Sequence, residues 1–449
     1  MLCEAMQVCS GRIGRMGSIA AGTTVSDYHP AEKAHQISVH ATLLSAEWME
    51  RKFNIIDTPG CADFISEGLG ALRVGDFALV VINAAHGLGY GTDTVWEQAT
   101  LHNLPKMIVI NALDKANLDF EATLAATREH FGKNVFPITL PLDAGPGFSR
   151  VLDVMRNEVI TYRPGSNGRY EEKPADGPLA ERVQQLHREL IEFIAESDDT
   201  LMEKFFAQGA LSEEELRAGL HKAIQSQVFV PLFSVSAETN VGVARLMEFI
   251  AKYGASPVDR EEVPATDASG LPGVVKLTQP EPVAYVFKTM NEAGVGELSL
   301  FRLYSGTIHS GEELFNSDRQ LSERIGQLYT LNGGDRTPVP TLHAGDIGAV
   351  VKLRETRTGH TLCSPRFVVT LPKITFPRPN IHGALKLRAK GDEDKLAAGL
   401  ATLHAEDPTF LYRVDDEIHQ TIVSGQGEIH LQVICERLLR RFNVVVELE

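Results

Sequence analysis

The stretch Phe53-Asn54-Ile55-Ile56-Asp57-Thr58-Pro59-Gly60 decides how the remainder of the 449 residues is read. A short apolar run stops at a carboxylate, a hydroxyl, a proline and a glycine, the pattern of a buried strand ending in a turn suited to phosphate chemistry. At the carboxyl end of a parallel strand, Asp57 can hold a Mg²⁺ ion through a water molecule. The Gly60 N–H can approach a γ-phosphate because no Cβ stands in the way. Thr58 and Pro59 complete the turn.

Working outward, Met107-Ile108-Val109-Ile110-Asn111 is a second apolar run closed by polar groups, followed by Ala112, Leu113 and Asp114. The interval from Asp57 to Asn111 leaves room for helix, strand and helix. Ala78 to Asn83 reads as the strand and Thr92 to His102 as the helix that follows it. An Asn-x-x-Asp loop after such a strand suits guanine, whose N1–H and exocyclic N2 amine can both donate to one carboxylate; adenine presents no such pair. A third run, Val228 to Val235, ends in Ser236-Ala237, whose backbone can donate to the guanine O6. Three strands with these endings, in this order, predict a guanine nucleotide site.

Composition narrows the class. The length suggests roughly three domains, and 43% apolar residues suffice for packed cores. With 43 basic against 59 acidic residues and a net charge of −16, wholesale coating of nucleic acid is excluded and any RNA contact is local. The five cysteines form no C-x-x-C pair, so neither a disulfide framework nor zinc is expected. No signal peptide and no apolar run of membrane-spanning length is present, and a cytoplasmic protein is expected.

The order DTPG, NxxD and SA, with the flanking Ala62-Asp63-Phe64 and Ala71-Leu72-Arg73-Val74, resembles the translational GTPases, elongation factor G most closely, over nearly all of the chain. The resemblance implies an α/β P-loop-type GTPase domain with a helical insertion, followed by a β-barrel and an α+β ferredoxin-like domain. It implies GTP/GDP and Mg²⁺ as ligands and hydrolysis of GTP on the ribosome, coupled to translocation or ribosome recycling. Ribosomal RNA and the stalk proteins of the large subunit are the implied partners, with no membrane and a monomeric state. Two alternatives stay open: a ribosome-binding module deficient in hydrolysis, and a tetracycline-type ribosomal protection factor.

Several positions depart from the family pattern. No G-x-x-x-x-G-K-S/T motif occurs; Gly17 to Thr24 imitates its spacing without the lysine or a preceding strand, and reads as a flexible loop. Leu2 to Met6 resembles the helix that directly follows the phosphate loop, so the resemblance implies a fragment without the first strand. Thr23 to Val39 matches the first switch. There Gln36-Ile37-Ser38-Val39 stands in place of Gly-Ile-Thr-Ile: Ser38 keeps a hydroxyl for Mg²⁺, and Gln36 replaces a glycine. His29, His35 and His40 invite a metal reading, but their spacing fits no zinc pattern, and solvated loop histidines are the plainer account. After Gly60, Cys61 occupies the place of the family's catalytic histidine. A mostly neutral thiol positions water less well than imidazole, so either hydrolysis is slow or altered, or Cys61 fills space. Ala112 replaces the lysine of Asn-Lys-x-Asp, so guanine preference with weaker affinity is expected.

The domain reading places the GTPase domain at 1–256 with its insertion at about 151–227. Within the insertion, 164–178 reads as a loop, 179–206 as helical, and Ser212-Glu213-Glu214-Glu215 as the capped start of another helix. A linker follows at 257–282 and a barrel at 283–371, with Arg354, Arg357 and His360 at a turn that either meets RNA or is scattered surface charge. At 372–449 the order strand, helix, strand, strand, helix, strand is the ferredoxin-like plan. Gly425-Gln426-Gly427-Glu428-Ile429-His430 there resembles the hallmark of the family's domain III. The resemblance implies that its helix reports nucleotide state, and that domains IV and V are absent.

Overall fold

Asn83 and Asn111 stand level at the carboxyl ends of neighbouring parallel strands, Ala78–Asn83 and Lys106–Asn111. A computed structural model describes residues 1–163, 165–208, 211–292, 294–389, 391–415 and 420–449. The chain divides into one unit made of Met1–Ser18, Ser45–Ile55 and Gly75–Asp259, and another made of Ile19–Leu44, Ile56–Val74 and Arg260–Glu449.

The first unit holds a sheet in the order Ala78–Asn83, Lys106–Asn111, Val230–Ser234, Val135–Pro137, each pair parallel. Met107, Ile108, Val109 and Ile110 have no exposure at all, as continuous apolar strands covered on both faces require. Helices Leu2–Cys9, Tyr90–Leu101, Phe120–Phe131 and Val243–Tyr253 accompany the sheet. The Asp119 carboxylate accepts the Ala122 N–H at 2.9 Å and so starts the third of these.

The insertion contains helices Gly177–Ala195, Asp199–Gln208 and Glu213–Gln225. The last opens on a reciprocal cap between Ser212 and Glu215. Ahead of them lies an antiparallel sheet that the sequence reading did not anticipate: Thr139–Pro141, Arg150–Asp153, Glu158–Tyr162 and Tyr170–Pro174. Its last strand falls inside the expected loop, whose first residue, Pro164, lies outside the described residues. The strand escaped notice because it is an edge strand with a polar, largely exposed sequence. Arg245 and Asp153, both buried, pair through Nε and Oδ2, and Asp153 also accepts the N–H of Met155 and Arg156.

In the second unit the expected linker carries a hairpin, Glu262–Asp267 with Pro272–Lys276, and Val369–Thr370 pairs along its other edge. Val263 and Ala265 point inward, but Pro264, Asp267 and Gly270 obscure so short an alternation. The barrel region is an eight-stranded antiparallel sheet centred on the long hairpin Val283–Glu292 and Gly296–Ser305. Val283, Tyr285 and Phe287 enter one apolar cluster, while Ala284 and Val286 enter another, the period of two that a sheet buried on both faces imposes. His360 serves this fold, for its Nδ1 accepts the Arg357 N–H and burial lowers its pKa. Arg357 in turn pairs with Glu297.

The carboxyl-terminal part has strands Leu411–Asp415, Gln420–Gly425, Ile381–Leu387 and Val446–Leu448 in that spatial order, all antiparallel. Helices Glu393–Glu406 and Glu428–Phe442 complete the split βαβ plan.

Segments Ile19–Leu44 and Ile56–Val74 belong to this second unit. Arg73, 7% exposed, donates to the Tyr304 hydroxyl and the Pro372 carbonyl and lies 4.5 Å from the centre of the Tyr285 ring. Gly333, at φ +62°, donates its N–H to the Leu43 carbonyl at 2.8 Å. A Cβ there would come within 2.3 Å of the Val25 carbonyl oxygen.

Candidate guanine nucleotide site

In the first unit the Lys106–Asn111 and Val230–Ser234 strands run in register, so their carboxyl-terminal loops come together. The Asn111 Oδ1 accepts the Ala237 N–H at 2.9 Å, and the Asp114 Oδ1 accepts the Ser236 hydroxyl at 2.6 Å. Leu113 is fully buried and donates its N–H to the Val235 carbonyl, anchoring the loop between the two polar residues. Ala112 adopts φ +66°, a left-handed conformation costly for a residue with a Cβ. Lys115 lies 3.1 Å from Asp114 and also pairs with Glu238. Burial alone would raise the Asp114 pKa, but the Ser236 hydroxyl and the Lys115 ammonium hold it below the usual carboxylate range.

Asp114 is therefore an ionised double acceptor, the form that a guanine N1–H and N2 amine require. Both of its oxygens are held, Oδ1 by the Ser236 hydroxyl and Oδ2 by the Lys115 ammonium. Asn111 is pinned through its oxygen, which leaves its amide as a donor. The Ser236 and Ala237 N–H groups, expected to donate to the guanine O6, donate instead within the loop, to the Val241 carbonyl and to the Asn111 Oδ1. Lys115 and Glu238 were missed from sequence because their pairing joins two loops distant along the chain.

Asp57 ends the Arg51–Asp57 strand, which is not the buried parallel strand expected: it is largely half-buried or exposed and lies in a two-stranded sheet with Thr42–Trp48; Thr58, Pro59 and the exposed Gly60 follow. Nothing lies within 4 Å of where a Gly60 Cβ would stand. Ser38 donates its hydroxyl to the Asp27 carboxylate at 2.7 Å. Ser38 and Asp57 carry oxygens of the type that Mg²⁺ takes beside waters and phosphate oxygens, and here the Ser38 hydroxyl is engaged by Asp27. Among the described residues no group of three or more His, Cys, Asp or Glu is placed to hold a metal.

Cys61 precedes a 3₁₀ turn, Ala62–Phe64, and packs with Ile37 and Ile429 against a cluster of Ala31, Val39, Phe64 and Val433. Burial raises its thiol pKa, so it stays neutral at pH 7. Gln36, which ends the Pro30–His35 helix, sits at φ +56°, the conformation a glycine adopts freely.

The three histidines are not solvated as expected. The His29 and His40 rings lie 4.5 Å apart, and His40 takes a contact from the Arg437 guanidinium. Burial, with Lys288 and Arg437 nearby, pushes His29 down to about 3. Burial and the same two cations, Arg437 foremost, push His40 well below its ordinary value. His35 meets Glu436 at 2.8 Å. Beneath them Glu32 accepts the N–H groups of His29, Val39 and His40, yet burial raises its pKa to about 7.

Comparisons with known proteins agree with this geometry. The elongation factor Tu GTP-binding domain family matches residues 1–256, elongation factor G domain 2 matches 281–365, and elongation factor G domain III matches 376–449. A solved structure from Thermus thermophilus superposes with a TM-score of 0.88 at 30% identity, over 100% of this chain. The chain spans 64% of the length of that structure. Among the described residues no helix is long and apolar enough to cross a membrane. With one family matched over more than half of its length and two elongation factor G domains following in order, the chain belongs to the elongation factor G-like translational GTPases.

Proposed function

We propose that the chain binds GTP and GDP through Asn111, Asp114, Ser236 and Ala237, with Asp57, Thr58, Pro59 and Gly60 facing the γ-phosphate, and that it serves a ribosome-directed GTPase. The observation that carries the reading is the held, ionised carboxylate of Asp114 beside the pinned amide of Asn111. Ser38 and, through water, Asp57 would hold Mg²⁺, which when bound neutralises the developing phosphate charge. The ribosome, its RNA and its stalk proteins are the partners this reading implies, in a cytoplasmic, monomeric factor working in translocation or recycling.

Binding of a fluorescent GDP analogue tests the reading. Excess GTP is expected to displace it and ATP is not, and Asp114→Ala is expected to weaken binding at least tenfold, since two charge-assisted hydrogen bonds are lost. Equal competition by ATP would sink the proposal.

A second reading, a ribosome-binding module that does not turn over GTP, is favoured by Cys61. Cys61 packs against an apolar cluster and its neutral thiol is hydrogen-bonded to Asp63, which makes it a poor partner for an attacking water. Single-turnover cleavage on ribosomes separates the two. Acceleration by Cys61→His favours a slowed hydrolase, while no cleavage by either protein favours the module.

A further inference from the structure

Helix Glu428–Phe442 begins without a cap of its own. Gly427 occupies the N-cap position and has no side chain to accept the first N–H groups. Four such donors are left at any helix start, and a buried start needs partners for them. Here the acceptor comes from 367 residues away along the chain: Asp63 Oδ2 accepts the His430 N–H at 3.1 Å. His430 is the third residue of the helix, the position that an N-cap side chain ordinarily serves.

Gly427 fits this arrangement sterically. Its backbone is extended, at φ −167°, so glycine is not required by conformation. A Cβ, however, would stand 2.2–2.3 Å from the Asp63 carboxylate atoms. The carboxylate occupies the volume in which a local capping side chain would grow. Beside it, the Phe64 ring meets the His430 ring edge-on at 5.9 Å, and Phe64 and Val433 share a buried cluster. Polar cap and apolar contact are thus paired as at a stapled helix start, but both come from the turn after DTPG.

We propose that Asp63 is a positioning residue: it caps the Glu428–Phe442 helix in trans and ties that helix to the Asp57–Gly60 segment. Displacement of the turn withdraws the acceptor and frays the first helical turn. That nucleotide moves the turn rests on the proposed function; the cap itself does not.

Hydrogen exchange of the 428–433 amides in the full chain, free and with GDP or a non-hydrolysable GTP analogue, tests this. Asp63→Ala is expected to lower protection at His430 roughly fivefold or more, the usual effect of losing a cap. Asp63→Asn, which keeps an acceptor oxygen, is expected to retain most of it and guards against a folding defect in the alanine variant. The double variant Asp63→Ala, Gly427→Ser supplies a local cap. It should regain protection while losing the difference between the two nucleotides, which a purely structural role would not predict. Unchanged protection in Asp63→Ala, or full nucleotide dependence in the double variant, overturns the proposal. Failure of the unaltered chain to bind either nucleotide overturns the guanine reading instead, and the cap is then decided by Asp63→Ala alone.

Discussion

Gln36 and Ala112 carry side chains in left-handed conformations, at φ +56° and +66°. For Gln36 the strain is removable. It is exposed, so Gln36→Gly is expected to raise stability by roughly 0.5–1 kcal/mol, the left-handed penalty less the added unfolded-state entropy of glycine. Denaturant unfolding at unchanged slope checks this. The sequence comparison had marked this position as a lost glycine without showing that the backbone still takes a glycine's path. Legibility differed from residue to residue for physical reasons. The placement of Asn111 and Asp114 at the end of a strand is read directly from the apolar run and the fixed spacing. Asp63 stood inside a recognised motif, but its partner lies in another domain, and no local pattern announces a cap supplied across 367 residues.

At the scale of elements, the Ile19–Leu44 segment is held by a titratable cluster whose members pull in opposite directions. His29 and His40 are neutral when folded. Unfolded, they bind protons near 6.5, so the fold loses stability as pH falls below that value, and for His29 the loss continues to about 3. Glu32 has the other sign: it keeps its proton to about 7 when folded and only to 4.5 when unfolded, so its contribution grows as pH falls through that window. Two groups outweigh one, and Lys288 and Arg437 repel either imidazolium. Net loosening from pH 6.5 to 5 is therefore expected. His40→Gln keeps an acceptor for Arg437 and removes one titration. The change in stability per pH unit should fall by at most about 1.4 kcal/mol; an unaltered slope would remove His40 from the account. Element type was legible here wherever the period was long. The Glu393–Glu406 and Glu428–Phe442 helices are the two helices of the order expected at 372–449, whereas the Tyr170–Pro174 edge strand and the Glu262–Lys276 hairpin have too few inward residues to show a period.

At the scale of the whole molecule, separate apolar clusters serve the parallel sheet, the barrel region and the carboxyl-terminal sheet. A chain built so departs from two-state unfolding, and calorimetry is expected to resolve more than one transition. Arg245→Ala strands the buried Asp153 carboxylate and should cost about 3–5 kcal/mol in the transition that carries the parallel sheet. A shift confined to the other transitions would contradict this. Domain order was legible because each region has its own pattern, apolar strands ending in polar sets, then closely spaced strands without helices, then strand-helix-strand twice; the path taken by Ile19–Leu44 was not, since it depends on contacts with residues beyond 260.

One of those contacts sets how freely that path can vary. Gly333 holds Leu43 through a main-chain hydrogen bond and faces both the carbonyl and the Cγ1 of Val25. The bond to Leu43 is blind to the identity of that residue. The side chain at Leu43 can drift within the limits of packing while the route of the segment persists. Gly333 cannot drift, because any replacement brings both a disfavoured backbone and a collision with a carbonyl. The tolerance for substitution is thus one-sided: the held segment is free to diversify only as long as its holder stays a glycine.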